Sequence, residues 1–296
     1  VTFSMISDYR CIYCLIKSYG NRLAKSEIPQ EAKERFTREM LSVLNDKWYG
    51  ITAPECARDI QGIYRSVIND SDPYREIKRV SNDTVLDMYD ELEGLIRNSP
   101  DPFTTALKLA IAGNIIDFAV HDECDLHGTI ENVLKSGFAI DHSPQLRERL
   151  QASDKVLYIG DNAGEIVFDK LLVTLIDHPG LVYAVRGAPA INDATMEDAE
   201  YVGMTGVTRV ITSGYDAPTT ILARSGDEFR RYFEEADIII SKGQGNLEGL
   251  IGEKDPRIFF LLMTKCDVIA EYLGVARGSC VVYNDLIVKP QQIKQE

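Results

Sequence analysis

Two oxygen-bearing side chains that suit a hard metal ion stand side by side at Asp161 and Asn162. They follow the apolar run Val156–Ile159, which predicts a short buried strand, and they precede a helix start at 163–165. Ligands of open α/β sheets collect at such an edge, beyond the carboxyl ends of the strands. The N–H groups and the positive dipole of a helix start suit an anion there. This arrangement predicts a divalent cation that is shared with a phosphate group.

A second acid-and-amide pair, Asn192 and Asp193, follows the next apolar run, Leu181–Val185. The pair is also compatible with an ordinary turn and a helix N-cap before Thr195. We favour a ligand role for Asp193 because the pattern repeats the pairing after the first run. The predicted metal ligands are therefore Asp161, Asn162 and Asp193, a set suited to Mg²⁺ or Mn²⁺ rather than to a soft metal.

Three basic side chains follow predicted strands and could hold a phosphate group. Arg186 can bind an oxyanion through two N–H groups, and Lys265 could offset the charge that develops during phosphoryl transfer. Lys242 begins the segment Lys-Gly-Gln-Gly-Asn, whose glycines would let backbone N–H groups approach an oxyanion closely. The predicted substrate-binding residues at this edge are Arg186, Lys242, Gly243, Gly245, Asn246 and Lys265.

Two further polar residues, Asn114 and Asp117, interrupt an apolar segment at 103–120 that we expect to be a buried helix. They are three positions apart and therefore share a face of that helix. Buried polar groups need partners, which a backbone contact could supply as readily as a ligand. We include both among the predicted substrate contacts.

A lone Cys-x-x-Cys motif, Cys11 and Cys14, lies near the beginning of the chain. A zinc site normally requires a second pair of ligands, for which Cys56 is a third candidate and Cys124 or His127 a fourth. A thioredoxin-like redox role would need a βαβ context that this segment lacks. Structural or inert thiols are the favoured interpretation, and a second metal or redox site is the alternative.

The elements that must position these residues fall into two parts. Helical periodicity dominates 29–98, and the Pro-rich stretch 98–102 breaks it. After residue 155, short apolar runs alternate with helical segments, which is typical of βαβ units. We predict an α/β protein with a helical domain at 1–150 and a Rossmann-like domain at 151–296, whose mostly parallel sheet has helices on both faces. The apolar runs are 156–159, 181–185, 207–211, 237–241, 258–263 and 280–283.

Composition excludes several classes of function. The 296 residues carry a formal net charge of −14, which argues against nucleic acids and anionic membranes as partners. No run of about 18 apolar residues and no apolar leader is present, so we expect a soluble cytoplasmic protein. A P-loop is absent, and no Ser/His/Asp or Cys/His arrangement is evident. The sequence predicts no oligomeric state.

Taken together, the motifs resemble those of the damage-control phosphatases (domain of unknown function 89), in particular their prokaryotic, CxxC-bearing branch. The resemblance implies a helical part followed by a Rossmann-like part, and a metal-dependent phosphatase acting on phosphorylated sugars or related metabolites. It implies Asp161, Asn162 and Asp193 as ligands of Mn²⁺, Mg²⁺, Co²⁺ or Ni²⁺, and Lys265 as the phosphate-binding lysine. The motifs that carry the resemblance are Gly160–Glu165 as GDNAGE, 186–189 as RGAP, 192–195 as NDAT, 242–248 as KGQGNLE, 264–265 as TK and 112–118 as AGNIIDF.

We therefore predict metal-assisted hydrolysis of a phosphomonoester of a small metabolite, in a metabolite damage-control role. Lys265 and Asp161 would take part in catalysis, with either water or the Asp161 carboxylate as the nucleophile. Glu165 and Asp198 are the candidate general bases, although Glu165 also fits a helix-dipole role. One alternative is a non-catalytic sensor of a nucleotide or phosphorylated metabolite. A less favoured alternative is an S-adenosylmethionine-dependent methyltransferase, in which an acidic residue near a glycine-rich turn holds a ribose.

Overall fold

The N-terminal half of the chain is helical. The structure, a computed structural model, describes residues 8–48, 50–113 and 126–287. Local signals set several helix starts: the Thr52 side chain and Glu55 form a capping box, and Asp8 and Asp101 accept N-cap hydrogen bonds. The helices are α1 (Tyr9–Lys25), α2 (Gln30–Lys47), α3 (Ala53–Ile68), α4 (Arg75–Leu86), α5 (Tyr89–Arg97), α6 (Pro102–Ala112) and α7 (Leu126–Lys135).

The second half forms a sheet whose described strands number seven. Their bounds are β1 (Ile140–Asp141), β2 (Val156–Ile159), β3 (Leu181–Val185), β4 (Arg209–Thr212), β5 (Ile238–Lys242), β6 (Ile258–Met263) and β7 (Cys280–Tyr283). The strand order is β1-β7-β6-β5-β2-β3-β4, and every neighbouring pair is parallel except β6 and β7. The connecting helices are α8 (Ser143–Ala152), α9 (Glu165–Ile176), α10 (Met196–Tyr201), α11 (Asp227–Glu235), α12 (Gly243–Leu250) and α13 (Asp267–Leu273).

The predicted α/β fold with a mostly parallel sheet is confirmed, and all six apolar runs contain strands. The sequence did not predict β1, which is two residues long and pairs with β7. Because β1 and α8 precede residue 153 and adjoin the sheet, the first part of the chain contributes directly to it. The division into domains at 1–150 and 151–296 stays a prediction.

Helices cover both faces of the sheet, as predicted. On one face, Tyr158, Tyr183 and Phe259 pack with apolar side chains of α6 and α9. On the other, Leu157 and Phe260 pack with side chains of α11, α12 and α13. Since β2, β3 and β6 are buried on both faces, their sequences are continuous apolar runs rather than alternating ones.

Helices α1–α3 have an apolar cluster of their own, which includes Tyr19, Phe36 and Ile60. Polar contacts join these helices to the loops that follow the strands. The Arg65 guanidinium donates to the Pro189 carbonyl oxygen at 3.0 Å, beyond β3, and Arg10 forms an ion pair with Glu271 of α13. Helix α3 therefore contacts the loop beyond β3, and α1 contacts α13. In the described part of the chain, no helix is both long and apolar enough to span a membrane.

Candidate active site

The predicted metal ligands meet through their backbones. Asn162 and Asp193 form an isolated antiparallel bridge between the loops that follow β2 and β3. The Ala194 N–H donates to the Asp161 carbonyl oxygen at 2.8 Å, which holds the same two loops together. Because β2 and β3 are neighbouring parallel strands, their carboxyl ends lie side by side, as the sequence argument required.

The Arg186 guanidinium is buried between the two aspartates. Its Nε donates to Asp193 Oδ2 at 2.5 Å, and its Nη2 donates to Asp161 Oδ1 at 3.5 Å. Its Nη1 donates to the Thr220 hydroxyl at 3.2 Å. All three nitrogens thus have protein partners, and the geometry gives Arg186 the task of neutralising the carboxylates. These bonds use three of the five guanidinium N–H groups, and direct binding of a substrate by Arg186 stays a prediction.

The Asp161 carboxyl group is the electrostatic centre of the site. Burial, and then the neighbouring Asp193 and Glu165 carboxylates, raise its pKa well above the usual range. Arg186 and Lys265 oppose this rise, so the half-buried Lys265 ammonium lies close enough to act on Asp161. The Lys265 backbone N–H donates to Gln244 Oε1 at 3.2 Å, which fixes its loop against α12. Lys265, predicted from the sequence, is therefore within electrostatic reach of Asp161.

Lys242, by contrast, is fully buried. Its ammonium group donates to the Ala110 carbonyl oxygen at 2.8 Å and to Glu165 Oε1 and Asp169 Oδ1 at 2.6 Å each. These three bonds use all three N–H groups of the lysine. Lys242 therefore holds the two carboxylates in place. No N–H group of its ammonium is left for the predicted contact with substrate.

Asp169 was not identified from the sequence, although it anchors this buried group. The Tyr158 hydroxyl donates to its Oδ1 at 2.7 Å, and the Tyr183 hydroxyl donates to its Oδ2 at 2.8 Å. An acid within the apolar sequence of α9 was the available signal, since such a residue requires buried partners.

The two predicted general bases have different surroundings. Glu165 is buried, and its Oε2 accepts a hydrogen bond from Asn162 Nδ2 at 3.3 Å, which places it next to a predicted metal ligand. Burial raises the pKa of Glu165, an effect that the Lys242 charge opposes. Asp198 instead caps α10, since its Oδ2 accepts from the Thr195 N–H at 2.9 Å and from the Thr195 hydroxyl at 2.8 Å. Its Oδ1 accepts from Asn82 Nδ2 at 3.0 Å. These bonds give Asp198 a structural role, and general-base catalysis by it stays a prediction.

Helix α4 supplies site residues that the sequence argument missed. The Asn82 Oδ1 accepts a hydrogen bond from the Gly164 N–H at 2.6 Å and thereby positions the start of α9. Lys78, one turn earlier, forms ion pairs with Asp72 and Asp198 and is almost fully buried. Lys78 and Asn82 are four residues apart on one face, a spacing that resembles an ordinary solvated helix surface in sequence.

The glycine-rich segment after β5 is shaped by its neighbours. Gly243 has φ +78°, and a Cβ atom there would lie 1.9 Å from Asp161 Oδ2, so only glycine allows α12 to begin against that carboxylate. A Cβ atom on Gly245 would lie 2.2 Å from the Pro218 carbonyl oxygen. Asn246 Nδ2 donates to the Gly160 carbonyl oxygen at 3.1 Å and closes the loop after β2. Direct substrate contacts from these three residues stay predictions.

In the part of the chain that the structure describes, Cys11, Cys14 and Cys56 are not gathered into the second metal site that the sequence left open. Cys14 is exposed, whereas Cys56 is fully buried in the apolar cluster of α1–α3. Within the described residues, no group of three or more His, Cys, Asp and Glu side chains could hold a metal ion. Burial, followed by the charges of Glu248 and Cys266, raises the pKa of Cys11 to about 12. A redox role of the motif stays a prediction.

Three of the predicted residues cannot be placed. Asn114 and Asp117, the predicted substrate contacts in the apolar segment, lie outside the described residues. Cys124, a candidate ligand for the cysteine motif, also lies outside them.

Comparison with known proteins identifies similar chains over most of this length. A family model described as the damage-control phosphatase ARMT1-like domain matches residues 7–281. A damage-control phosphatase of Pyrococcus horikoshii is 38% identical over 280 residues, which cover 93% of this chain and 96% of the relative. One from Archaeoglobus fulgidus is 33% identical over 252 residues, which cover 82% and 86% of the two chains. The crystal structure of a DUF89 family protein from P. horikoshii has a TM-score of 0.86 at 31% identity, covering 94% of this chain and 98% of that one.

Proposed function

Because this chain belongs to the damage-control phosphatase ARMT1-like family, we propose that it removes a phosphate group from a small phosphorylated metabolite with the help of a divalent metal ion. The observation that carries this proposal is the backbone bridge between the loops after β2 and β3. That bridge gathers two carboxylates and one amide at the carboxyl edge of a parallel sheet, beside the Lys265 ammonium group.

The donor chemistry of this edge fits a hard cation. Asp161, Asn162 and Asp193 offer only oxygen ligands, which Mg²⁺ and Mn²⁺ prefer, and Co²⁺ or Ni²⁺ are the further candidates from the family resemblance. A bound cation would polarise a phosphoryl oxygen and lower the pKa of a water molecule. The Arg186 guanidinium alone leaves the two aspartates with a surplus of negative charge, which a cation would offset.

The side chains around the aspartates have separate tasks in this proposal. Lys265 binds the phosphoryl group and stabilises the charge that grows on its outer oxygens. Arg186 holds the Asp193 carboxylate in a fixed orientation through a 2.5 Å bond. Glu165 accepts a hydrogen bond from Asn162 Nδ2 and so fixes the orientation of the Asn162 amide group.

Phosphate release from a panel of phosphorylated sugars and nucleotides, measured with each of the four metal ions, tests the proposal. We expect turnover that stops when a chelator removes the metal. The isosteric Asp193→Asn substitution should lower kcat/KM by about 100-fold or more, since it removes a charge from the centre. Asp227→Asn is the matched control, because the Asp227 side chain is almost fully exposed on α11.

The outcomes separate phosphatase from sensor. If no member of the panel releases phosphate with any metal, although some bind, the protein is a binding module and the proposed activity is wrong. If Asp193→Asn retains full activity, the metal-ligand assignment is wrong even though the protein is a phosphatase.

A further inference from the structure

A positively charged cluster lies between α1, α3 and the residue that precedes α4, and it has no acidic partner among the residues that the structure describes. The Arg22 guanidinium carbon is 4.3 Å from the centre of the Tyr74 ring, and it is also within 5.4 Å of the Tyr19 and Tyr64 ring centres. We call Arg22, Gln61 and these three tyrosines the Arg22 cluster. Arg22 is half-buried; the aromatic faces stabilise its cation, but they supply no negative charge to pair with it.

Arg22 has no carboxylate in contact with it among the residues that the structure describes. Its hydrogen bond is a long one, from Nη1 to Gln61 Oε1 at 3.5 Å. Burial lowers the pKa of Arg22, which is the signature of a cation that has lost water without gaining a full counter-charge. That bond uses one of the five guanidinium N–H groups, and the other four have no protein acceptor among the described residues.

Two neighbouring donors are also unsatisfied. Gln61 Oε1 accepts from the Tyr19 hydroxyl at 3.2 Å, but the buried Gln61 Nε2 has no hydrogen-bond partner. The buried Tyr74 hydroxyl likewise has none. Unpaired buried polar groups are rare and require an explanation, and here two of them adjoin the same unpaired cation. A guanidinium, an amide N–H₂ and a phenol hydroxyl together form a set of donors that an anionic oxygen group would satisfy.

The helices that carry the Arg22 cluster also contact the active-site loops. Arg65, one turn after Gln61 in α3, donates to the carbonyl oxygen of Pro189, in the loop that leads to Asp193. Helix α4 begins directly after Tyr74, and its Asn82 holds the N–H of Gly164. The cluster is therefore built into the helices that adjoin the metal-ligand loops.

We propose that Arg22, Gln61 and Tyr74 form a subsite for a second anionic group of the substrate, a carboxylate or a phosphate. This inference rests on the proposed phosphatase function and narrows it. The preferred substrates then carry one phosphate that is removed beside Asp161 and another acidic group that remains bound by Arg22.

Binding at Arg22 can be measured without any turnover. The full-length protein is labelled with ¹⁵N-arginine, and the Arg22 Nε–Hε signal is assigned by its loss in Arg22→Lys. Sodium phosphate and sodium acetate are titrated separately into metal-free protein against sodium chloride at equal ionic strength. We expect a saturable shift of the Arg22 signal with at least one of them, and the stronger response identifies phosphate or carboxylate as the preferred group. The exposed Arg97 on α5 provides the control signal. If Arg22 shifts no more than Arg97 with either anion, the subsite is wrong.

Kinetics provide the second arm. For a sugar bisphosphate and the monophosphate of the same sugar, Arg22→Gln should raise KM for the bisphosphate about tenfold more than for the monophosphate, because it removes one charge-assisted contact. Tyr74→Phe deletes only a hydroxyl and should change the same ratio by about threefold, and it keeps the test valid if Arg22→Gln fails to fold. An unchanged ratio in both variants contradicts the proposal. Absence of all turnover contradicts the phosphatase assignment instead, and the titration still decides the subsite.

Discussion

Two pairs of buried carboxylates lie within this molecule, and each pair is bridged by one cation. In the first pair, Asp161 and Asp193 are joined by Arg186. In the second, Glu165 and Asp169 are joined by Lys242. Asn162 connects the pairs, because its Nδ2 donates to Asp161 Oδ2 at 3.1 Å and to Glu165 Oε2 at 3.3 Å.

The pairs differ in how completely protein groups surround them. Asp169 is 0% exposed and Glu165 is 1% exposed, and two tyrosine hydroxyls add to the three bonds of Lys242. Asp161 and Asp193 are 7% and 3% exposed, and the bond from Arg186 to Asp161 is long. We call Glu165 and Asp169 the inner pair and Asp161 and Asp193 the outer pair. We infer that the inner pair holds the shape of the site and that the outer pair performs its chemistry. The free energy of unfolding should respond to changes in the inner pair, and the catalytic rate to changes around the outer pair.

The largest expected effect is on the inner pair. Lys242→Met removes the shared cation and leaves two buried carboxylates without their main donor, which should lower the free energy of unfolding by about 3–5 kcal/mol. Urea unfolding followed by circular dichroism measures this. Lys254→Met is the control, since Lys254 pairs with Asp285 at the surface and should change stability by less than about 1 kcal/mol. If Lys242→Met unfolds at the same urea concentration as the control, the inner pair is not a structural element.

The next largest effect is on the catalytic rate and concerns Lys265, whose charge acts on Asp161 of the outer pair. Lys265→Met should lower kcat/KM by about 10²–10³-fold, which corresponds to about 2.7–4 kcal/mol of transition-state stabilisation. Its free energy of unfolding should change by less than about 0.5 kcal/mol, because the Lys265 ammonium group is only half-buried. The measurement is steady-state phosphate release, paired with urea unfolding of the same sample. A loss of stability equal to that of Lys242→Met would remove the distinction between the pairs.

The sequence predicted the place of the site more successfully than the partners within it. Continuous apolar runs located the strands, and the alignment of their carboxyl ends implied that Asp161 and Asp193 converge. The same argument treated Lys242 and Lys265 alike, as cations after a strand. One contact that distinguishes Lys242 from Lys265 is its bond to the Ala110 carbonyl oxygen. Ala110 lies in α6, 132 residues before Lys242, and no local sequence pattern indicates that contact.

Side chains contributed by several distant elements were the hardest to foresee. Asp169 appears in sequence as a single acid in an apolar helix, because its tyrosine donors come from two separate strands. The Arg22 cluster draws on two helices and on the residue before a third, and it is defined by polar groups that lack a partner rather than by a sequence motif. The cysteines show the converse. Cys11 and Cys14 have a recognisable spacing, but Cys14 is exposed whereas the third candidate, Cys56, is buried.

The smallest expected effect tests whether the inner pair is structural alone. Tyr183→Phe removes one hydroxyl donor from Asp169 and should lower the free energy of unfolding by about 1–2 kcal/mol, as expected for a hydrogen bond to a buried carboxyl group. Tyr201→Phe is the matched control, because Tyr201 of α10 is 38% exposed and its hydroxyl donates to Asp83 at the surface, and we expect a change within about 0.5 kcal/mol. Because the hydrogen bonds described above link Asp169 to the outer pair indirectly, through Lys242, Glu165 and Asn162, kcat/KM of Tyr183→Phe should stay within about threefold of the wild type. A large loss of rate at unchanged stability would instead show that the tyrosine–aspartate–lysine network takes part in the chemistry, and the two pairs would have to be treated as one catalytic unit.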